Sequence, residues 1–397
     1  MIKARISASY VYTLDSAEPI RNGFVEYDTE NGQILSVGAC EDDGKDEIIE
    51  GALVPGCVNA HCHVELSHLH KKFTKGTGMA GFIDQINALR DWAGRDKKTE
   101  LVRIWMDKMW NDGVSAMADI SNDDSSFDVK KAHRLYTRTF LEVFGSEPEM
   151  CDGVMLDVRE LECRAKEAGI DAAPTPHSCY TMSPRLLSES AAAGLDAGFL
   201  SYHSQESQEE EDLLLHGSGA MYENRKRSGM STPPVTGESS LKYFIDRLAA
   251  VRPAPYDEHI LLVHNVCLSQ DDIDSARKVM KNVYWAVCPL SNIFIHNALP
   301  PIPLMRDNGL DIMVGTDSLS SNDDLDIVKE LICLHENFPE VPTSELLVWA
   351  CLNGAKFLKK DNELGSLTPG KTPGIVLVRH IDDKGNFTVE SRSERII

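Results

Sequence analysis

The chain has 397 residues, a formal net charge of −22, 42% hydrophobic and 26% charged residues. That length exceeds one small core and suits a barrel of ~250 residues with additions. The acidic balance argues against nucleic acid or an anionic membrane as a partner, because both need basic surfaces. No apolar run approaches the ~18 residues of a membrane span. The N-terminus has no basic stretch followed by an apolar core, so no signal peptide is expected. Ten cysteines lack paired spacing, apart from Cys57 and Cys62 flanking the first histidine of the first barrel strand, which predicts reduced thiols in a cytoplasm.

Residues 1–52 read as β-structure. Phe24 to Asp28 and Gln33 to Val37 flank Asn31-Gly32, a hairpin signal. The acidic run Glu41 to Glu47 reads as a solvated loop. From Leu53 the pattern changes to strand, loop and helix, repeated. The first strand, Leu53 to His63, ends in Pro55-Gly56-Cys57-Val58-Asn59-Ala60-His61-Cys62-His63. Strand side chains alternate between faces, so His61 and His63 point one way and Cys62 the other. Two converging imidazoles make a ready pair of metal ligands, although a lone His-x-His is often incidental.

Apolar residues at helical spacing follow in Gly81 to Arg95 (Phe82, Ile83, Ile86, Leu89, Trp92) and Leu101 to Trp110, with Gly113 as a stop. Short apolar strands are expected at Val114 to Ile120, Thr139 to Phe144, Ala172 to Pro176, Phe199 to His203, Ile260 to His264, Val283 to Val287 and Asp311 to Thr316. Helical patterns separate most of them. Strands alternating with helices imply a parallel sheet, and eight such units imply an α/β fold of the (β/α)8 TIM-barrel type. Asp323 to His335 and Ser344 to Phe357 read as further helices. Gly374 to Val378 and Asn386 to Glu390 return to β-type sequence around Lys384-Gly385. Residues 1–52 and 365–397 are therefore expected to form one composite β-sandwich domain, with the barrel at 53–364.

Barrel chemistry sits at the C-terminal ends of strands. Those ends carry His61 and His63, His177, His203, His264 and Asp317, five of the chain's thirteen histidines and one aspartate. Each has a plainer reading alone: His177 and His264 as core histidines, Asp317 as a helix N-cap, Glu206 as a surface glutamate in a Glu-rich helix start. Jointly the plain readings lose ground.

Pro55-Gly56-x-Val58-Asn59-Ala60-His61-x-His63, Pro176-His177-Ser178-x-Tyr180-x-x-Ser183, His203-x-x-Glu206, Val263-His264, Cys288-Pro289-x-Ser291-Asn292, Gly315-Thr316-Asp317-Ser318, Ser321-Asn322 and Gly365-Ser366-Leu367-x-Pro369-Gly370-Lys371 follow one another along nearly the whole chain. In these pieces the chain resembles the amidohydrolase superfamily, in its deaminase and chlorohydrolase branch. The resemblance implies that His61, His63, His203 and Asp317 hold one divalent metal ion, zinc or iron. A bound cation brings the pKa of its water to ~7, so hydroxide is available to attack a ring carbon bearing an amino group. The resemblance further implies that Glu206 would carry a proton from that water to the ring nitrogen, that His264 would stabilise the tetrahedral intermediate, and that Asp317 would pass the second proton to departing ammonia. His177 and Ser318 would contact the substrate. No lysine lies between Ile170 and Met182, which favours a mononuclear site. Cys267 stands where the family often has a histidine.

Glu65-Leu66-Ser67-His68-Leu69 resembles the group that deaminates aminodeoxyfutalosine, an adenine nucleoside derivative. Glu65 and Ser67 are accordingly candidate contacts to a purine or ribose; a loop closing the barrel mouth is the plainer reading. The segment 216–234 is a candidate lid. Its Arg225, Lys226 and Arg227 would suit an anionic substrate or form a solvated basic turn. The expected function is hydrolytic deamination of an amino-substituted heterocycle, a hydrolase acting on carbon–nitrogen bonds other than peptide bonds. The same site also serves a hydrolase with another leaving group (chloride, an alkylamine or a cyclic amide). A non-enzymatic scaffold is disfavoured by the intact ligand set. The expected partner is a small-molecule, purine nucleoside-like substrate; the sequence does not give the oligomeric state, though apolar helices such as Phe82 to Trp92 could supply a homodimer interface.

Overall fold

The structure is a computed structural model that describes residues 2–41 and 46–397; most of the expected acidic loop at 41–47 lies outside the described residues. Both chain ends meet in one mixed sheet. Its strands are β1 (Lys3–Val11), β2 (Ile20–Asp28), β3 (Ile34–Ala39), β4 (Ile48–Pro55), and, from the far end of the chain, Ile375–Arg379 and Arg392–Arg395. The Asn31-Gly32 turn joins β2 to β3 as expected, with Gly32 at φ +76°. β1 runs parallel to β4, and β4 runs antiparallel to Ile375–Arg379. Ala8, Val11, Val25, Leu53, Ile375 and Leu377 pack one face of this sheet.

Two expectations shift. The run Leu53 to His63 is not one strand: β4 ends at Pro55 and β5 (Cys57–Cys62) begins a different sheet. Gly56 makes the change possible, because a Cβ there would meet Ser115 Oγ at 2.0 Å and Pro373 O at 2.5 Å. Pro55-Gly56, a turn dipeptide, is the mark of that step inside the otherwise apolar run. At the far end, Asn386 to Glu390 is irregular, and the strand lies at Arg392–Arg395. Asp382 accepts the backbone N–H groups of Lys384 and Asn386, while Thr388 and Ser391 hydroxyls both donate to His380 O. Those local bonds hold the stretch as a turn.

Two four-stranded parallel sheets follow. One is β5, β6 (Val114–Ser121), β7 (Tyr136–Val143) and β8 (Asp171–Pro176); the other is β9 (Phe199–Ser204), β10 (Tyr256–His264), β11 (Met280–Val287) and β12 (Ile312–Val314). Helices connect the strands and pack on one face of each sheet, while Val58, Ala116, Ala118, Phe140, Leu261, Val263 and Ala286 form a separate buried cluster between the sheets. Every residue of β6 is buried, which explains why these strands read as continuous apolar runs. Isolated bridges pair Ser178 with His203 and Cys62 with Asp317, each joining an edge of one sheet to an edge of the other. Asn59 and Thr316 reinforce the second junction, with Asn59 Nδ2 donating to Thr316 Oγ1 at 2.8 Å. The expected helix at Ser344 to Phe357 is interrupted by a π turn at Val348–Leu352.

Candidate active site

The site is made by strand ends that depart from regular backbone. Gly315 follows β12, and a Cβ there would lie 2.7 Å from His61 N. Only glycine lets the chain pass that close to β5. It then turns through Asp317, at φ +56°, and Asp317 N donates to His61 O at 3.0 Å. Gln205 (φ +51°), His264 (φ +75°) and Asn265 (φ +57°) are also left-handed, just past β9 and at the end of β10. Such conformations cost of order 1–3 kcal/mol each and persist where the surroundings over-determine them. Here Asn265 does so, donating to Leu262 O and Ala286 O.

Asp317 lines one cavity of about 150 Å³ together with His63, His203 and Glu206. His61, His63 and His203 each place one nitrogen within 4.8 Å of the others. His61 Nε2 and His63 Nε2 are 3.1 Å apart, and both lie within 4 Å of Asp317 Oδ1, at 3.8 and 3.6 Å. Burial and the neighbouring imidazoles hold His61 and His203 well below the ordinary histidine pKa, so these rings are neutral and present lone pairs. Burial alone would raise Asp317, but His63, His264 and the Ser291 hydroxyl outweigh it and hold the carboxyl below its usual value. Three imidazoles and one carboxylate, converging with ligand atoms within 4.8 Å of their neighbours, fit a divalent cation.

The acid–base groups stand beside this set. Glu206, His264 and Asp317 each place one ligand atom within 4.8 Å of the others. His264 Nε2 is 3.4 Å from Glu206 Oε1. Asn292 Nδ2 donates to His264 Nδ1 at 3.2 Å, which leaves the proton of a neutral imidazole on Nε2. Tyr180 donates its hydroxyl to Glu206 Oε2 at 2.8 Å. Burial and then the Asp317 charge raise Glu206 to about 8.

A match to the amidohydrolase family model spans residues 52–394. The chain belongs to the amidohydrolase family. A 5-methylthioadenosine/S-adenosylhomocysteine deaminase of Natronomonas pharaonis is 26% identical over 334 residues, 79% of this chain and 68% of the relative. An adenosine deaminase of Helicobacter pylori is 25% identical over 319 residues, 78% of this chain and 75% of the relative. Among solved structures, Helicobacter pylori aminofutalosine deaminase in complex with methylthio-coformycin superposes with TM-score 0.78 at 22% identity, covering 99% of this chain and 100% of that one. A zinc-complexed atrazine chlorohydrolase of Arthrobacter aurescens superposes with TM-score 0.72 at 17% identity, covering 98% and 92%.

In this amidohydrolase, six residues expected from strand ends converge: His61, His63, His177, His203, His264 and Asp317, joined by Glu206. His177 stacks on His203 with ring centroids 4.3 Å apart, and His177 and Ser318 line the cavity. Glu65 and Ser67 are not brought to it. Glu65 accepts the backbone N–H groups of Asn122 (2.8 Å) and Asp123 (3.3 Å), and Ser67 donates to Val64 O within a 3-10 helix. The basic cluster at 225–227 also stays out of the cavity lining. Arg225 is buried and turns inward to Tyr180 O and Ser231 O, and Arg227 pairs with Asp84. Phe82, Ile83 and Ile86, on the apolar face of the helix Gly78–Leu89, line the cavity.

Four residues without a role from the sequence join the site. Ser291 and Ser321 both donate to Asp317 Oδ2, at 2.6 and 2.9 Å. Asn292 and Tyr180 orient His264 and Glu206. All four lie inside the matching pieces, so their positions were marked while their tasks were not. Glu142, at the end of β7, had a signal of its own: an acidic residue between Leu141 and Val143 in an apolar strand.

Proposed function

We propose that this amidohydrolase is a metal-dependent hydrolytic deaminase of a purine nucleoside-like substrate that releases ammonia. The observation that carries the reading is the convergence of Glu206, His264 and Asp317 beside the His61, His63 and His203 imidazoles, at a cavity that Glu206, Asp317, His63 and His203 line. The relatives support the substrate class: they include deaminases of 5-methylthioadenosine/S-adenosylhomocysteine, adenosine and 5'-deoxyadenosine.

His61, His63, His203 and Asp317 would hold the cation, and we assign zinc, which the nitrogen-rich set suits. When bound, it supplies an acidified water, with a pKa near ~7. Glu206 accepts the proton of the attacking water and delivers it to the ring nitrogen beside the reacting carbon. His264 Nε2–H donates to the oxygen that develops negative charge on that carbon. Asp317, with Oδ2 held by Ser291 and Ser321, takes the second proton and gives it to the leaving ammonia. Tyr180 keeps Glu206 facing the ring. His177 and Ser318 contact the substrate, whereas Glu65 and Ser67 support the surrounding loops.

We read β5 to β12 as a closed (β/α)8 barrel of residues 53–364, on the support of the Ser178–His203 and Cys62–Asp317 bridges. Residues 1–52 and 365–397 are then the second domain, with the 52/53 boundary falling inside β4. Ammonia release by the metal-loaded protein, absent in Glu206→Gln, tests the function. Release of chloride, an alkylamine or a ring-opened amide in place of ammonia would replace it.

A further inference from the structure

Glu142 has no part in the chemistry above, yet it is placed as if for a ligand. It ends β7, its side chain is 4% exposed, and it lines the catalytic cavity. One carboxylate oxygen is occupied: Oε2 accepts from Asn122 Nδ2 at 3.0 Å. Asn122 is itself clamped, with its backbone N–H on Glu65 Oε2 and its Oδ1 accepting from Arg90 Nη2 at 3.2 Å. Glu65 thus acts on the site through Asn122. This chain of bonds fixes the direction of the second oxygen.

That second oxygen, Oε1, is buried and has no hydrogen-bond partner among the described residues. His177 Nε2 and His203 Nδ1 are both 3.8 Å away, beyond hydrogen-bond reach. His203 Nδ1 is already turned to His177 O at 3.1 Å. A buried acceptor left without a donor is destabilising, and such an atom in a cavity marks where a ligand's donor goes.

The neighbour across the gap sets the kind of ligand. His177 Nδ1 lies 2.7 Å from Ser178 Oγ and 3.1 Å from Thr181 Oγ1. We assign those hydroxyls as donors and Nδ1 as their acceptor, the tautomer that carries the imidazole proton on Nε2. The cavity wall therefore presents one acceptor and one donor, 3.8 Å apart. Two adjacent hydroxyls match that pair: one donates to Glu142 Oε1 and the other accepts from His177 Nε2. A second cation fits less well, because His203 Nδ1 is engaged and only two ligand atoms remain. The pair stands one stacked imidazole from the cation ligands, as a sugar stands one base's width from the reacting carbon.

We propose that Glu142 is a specificity-determining residue that, with His177, binds the vicinal diol of a nucleoside's ribose. This rests on the deaminase reading. The test measures kcat/KM for ammonia release by wild type, Glu142→Ala and the near-isosteric Glu142→Gln, with bound metal counted in each. The substrates are adenosine, 5′-methylthioadenosine and the diol-free 2′,3′-dideoxyadenosine. The expected result is a loss of about 10- to 100-fold on the ribosides, the scale of one hydrogen bond to a charged group. That loss falls mainly in KM, with a change of less than a few-fold on the dideoxy substrate and metal content intact. Equal losses on all three substrates, or a wild type that does not distinguish them, would overturn the assignment and leave the deaminase reading standing. Loss of bound metal in Glu142→Gln would move Glu142 to the cation and overturn it likewise. Ammonia release from none of the three by metal-loaded wild type would overturn both.

Discussion

Asp317 donates its backbone N–H to His61 O at 3.0 Å. The ligand on the last strand is thereby tied through the main chain to the first ligand on β5. Gly315 makes this approach possible, since a Cβ would press on His61 N, Cβ and O, all within 2.9 Å. Gly315→Ala should separate the two strand ends. The expected cost is about 1–3 kcal/mol of stability, the usual scale for overpacking, together with weaker metal retention. Thermal unfolding and metal analysis after dialysis read the two effects. A variant with wild-type Tm and full metal would show that the contact is slack.

Asp317→Asn keeps the shape of the side chain and its partners Ser291 and Ser321. It removes the charge and the ability to accept the second proton. The fold should survive, and kcat should fall by about 100- to 10,000-fold, the range of general acid–base catalysis. Circular dichroism and steady-state kinetics check both parts. Turnover within a few-fold of wild type would remove Asp317 from the proton path.

The Glu206 carboxyl must be ionised to accept a proton. Burial and then the Asp317 charge raise it to about 8, and a bound cation would favour the ionised form. The competent fraction therefore grows as pH rises, with a midpoint above the ordinary carboxylate value of ~4.3 and at or below about 8. A pH profile of kcat/KM should show this rising limb, and Glu206→Gln should abolish turnover rather than shift the limb. A rate flat across that window would contradict the assignment.

Removing the cation should destabilise the protein, because a ligand that binds only the folded chain adds stability by mass action. At a free concentration 100 times Kd the gain is ~2.7 kcal/mol. Dialysis against a chelator should lower Tm, and added zinc should restore it. His63→Ala should lower Tm in the metal-loaded protein and abolish the response to zinc. An unchanged Tm on chelation in protein shown to have lost its metal would argue against coupling of the site to the fold.

Much of this was legible in the amino-acid order, and for one physical reason. Parallel strands buried on both faces are short apolar runs, and a polar residue that ends such a run has few structural reasons to be there. His203 and His264 stand out this way, and so does Asp317. What was hidden arises between segments. The step from β4 to β5 has a local mark in Pro55-Gly56, but what requires glycine there, the approach of Ser115 and Pro373, lies far along the chain. The left-handed backbone at His264 has no marker, because histidine rarely adopts it. Glu65 is a candidate substrate contact only through the resemblance of Glu65-Leu66-Ser67-His68-Leu69 to a nucleoside-deaminating group, yet a 3-10 helix turns it toward Asn122 and Asp123. Arg225 looked solvated within a basic run, and its burial against Tyr180 O follows from how the helix Gly219–Arg227 packs.

The most direct test of the central claim is ammonia release from a panel of aminated heterocycles by protein holding about one metal ion per chain. The panel runs from free bases through adenosine and S-adenosylhomocysteine to aminodeoxyfutalosine. The account predicts release from at least one adenine nucleoside, at a rate that vanishes in Glu206→Gln. No release from any of them by fully metal-loaded protein would contradict it.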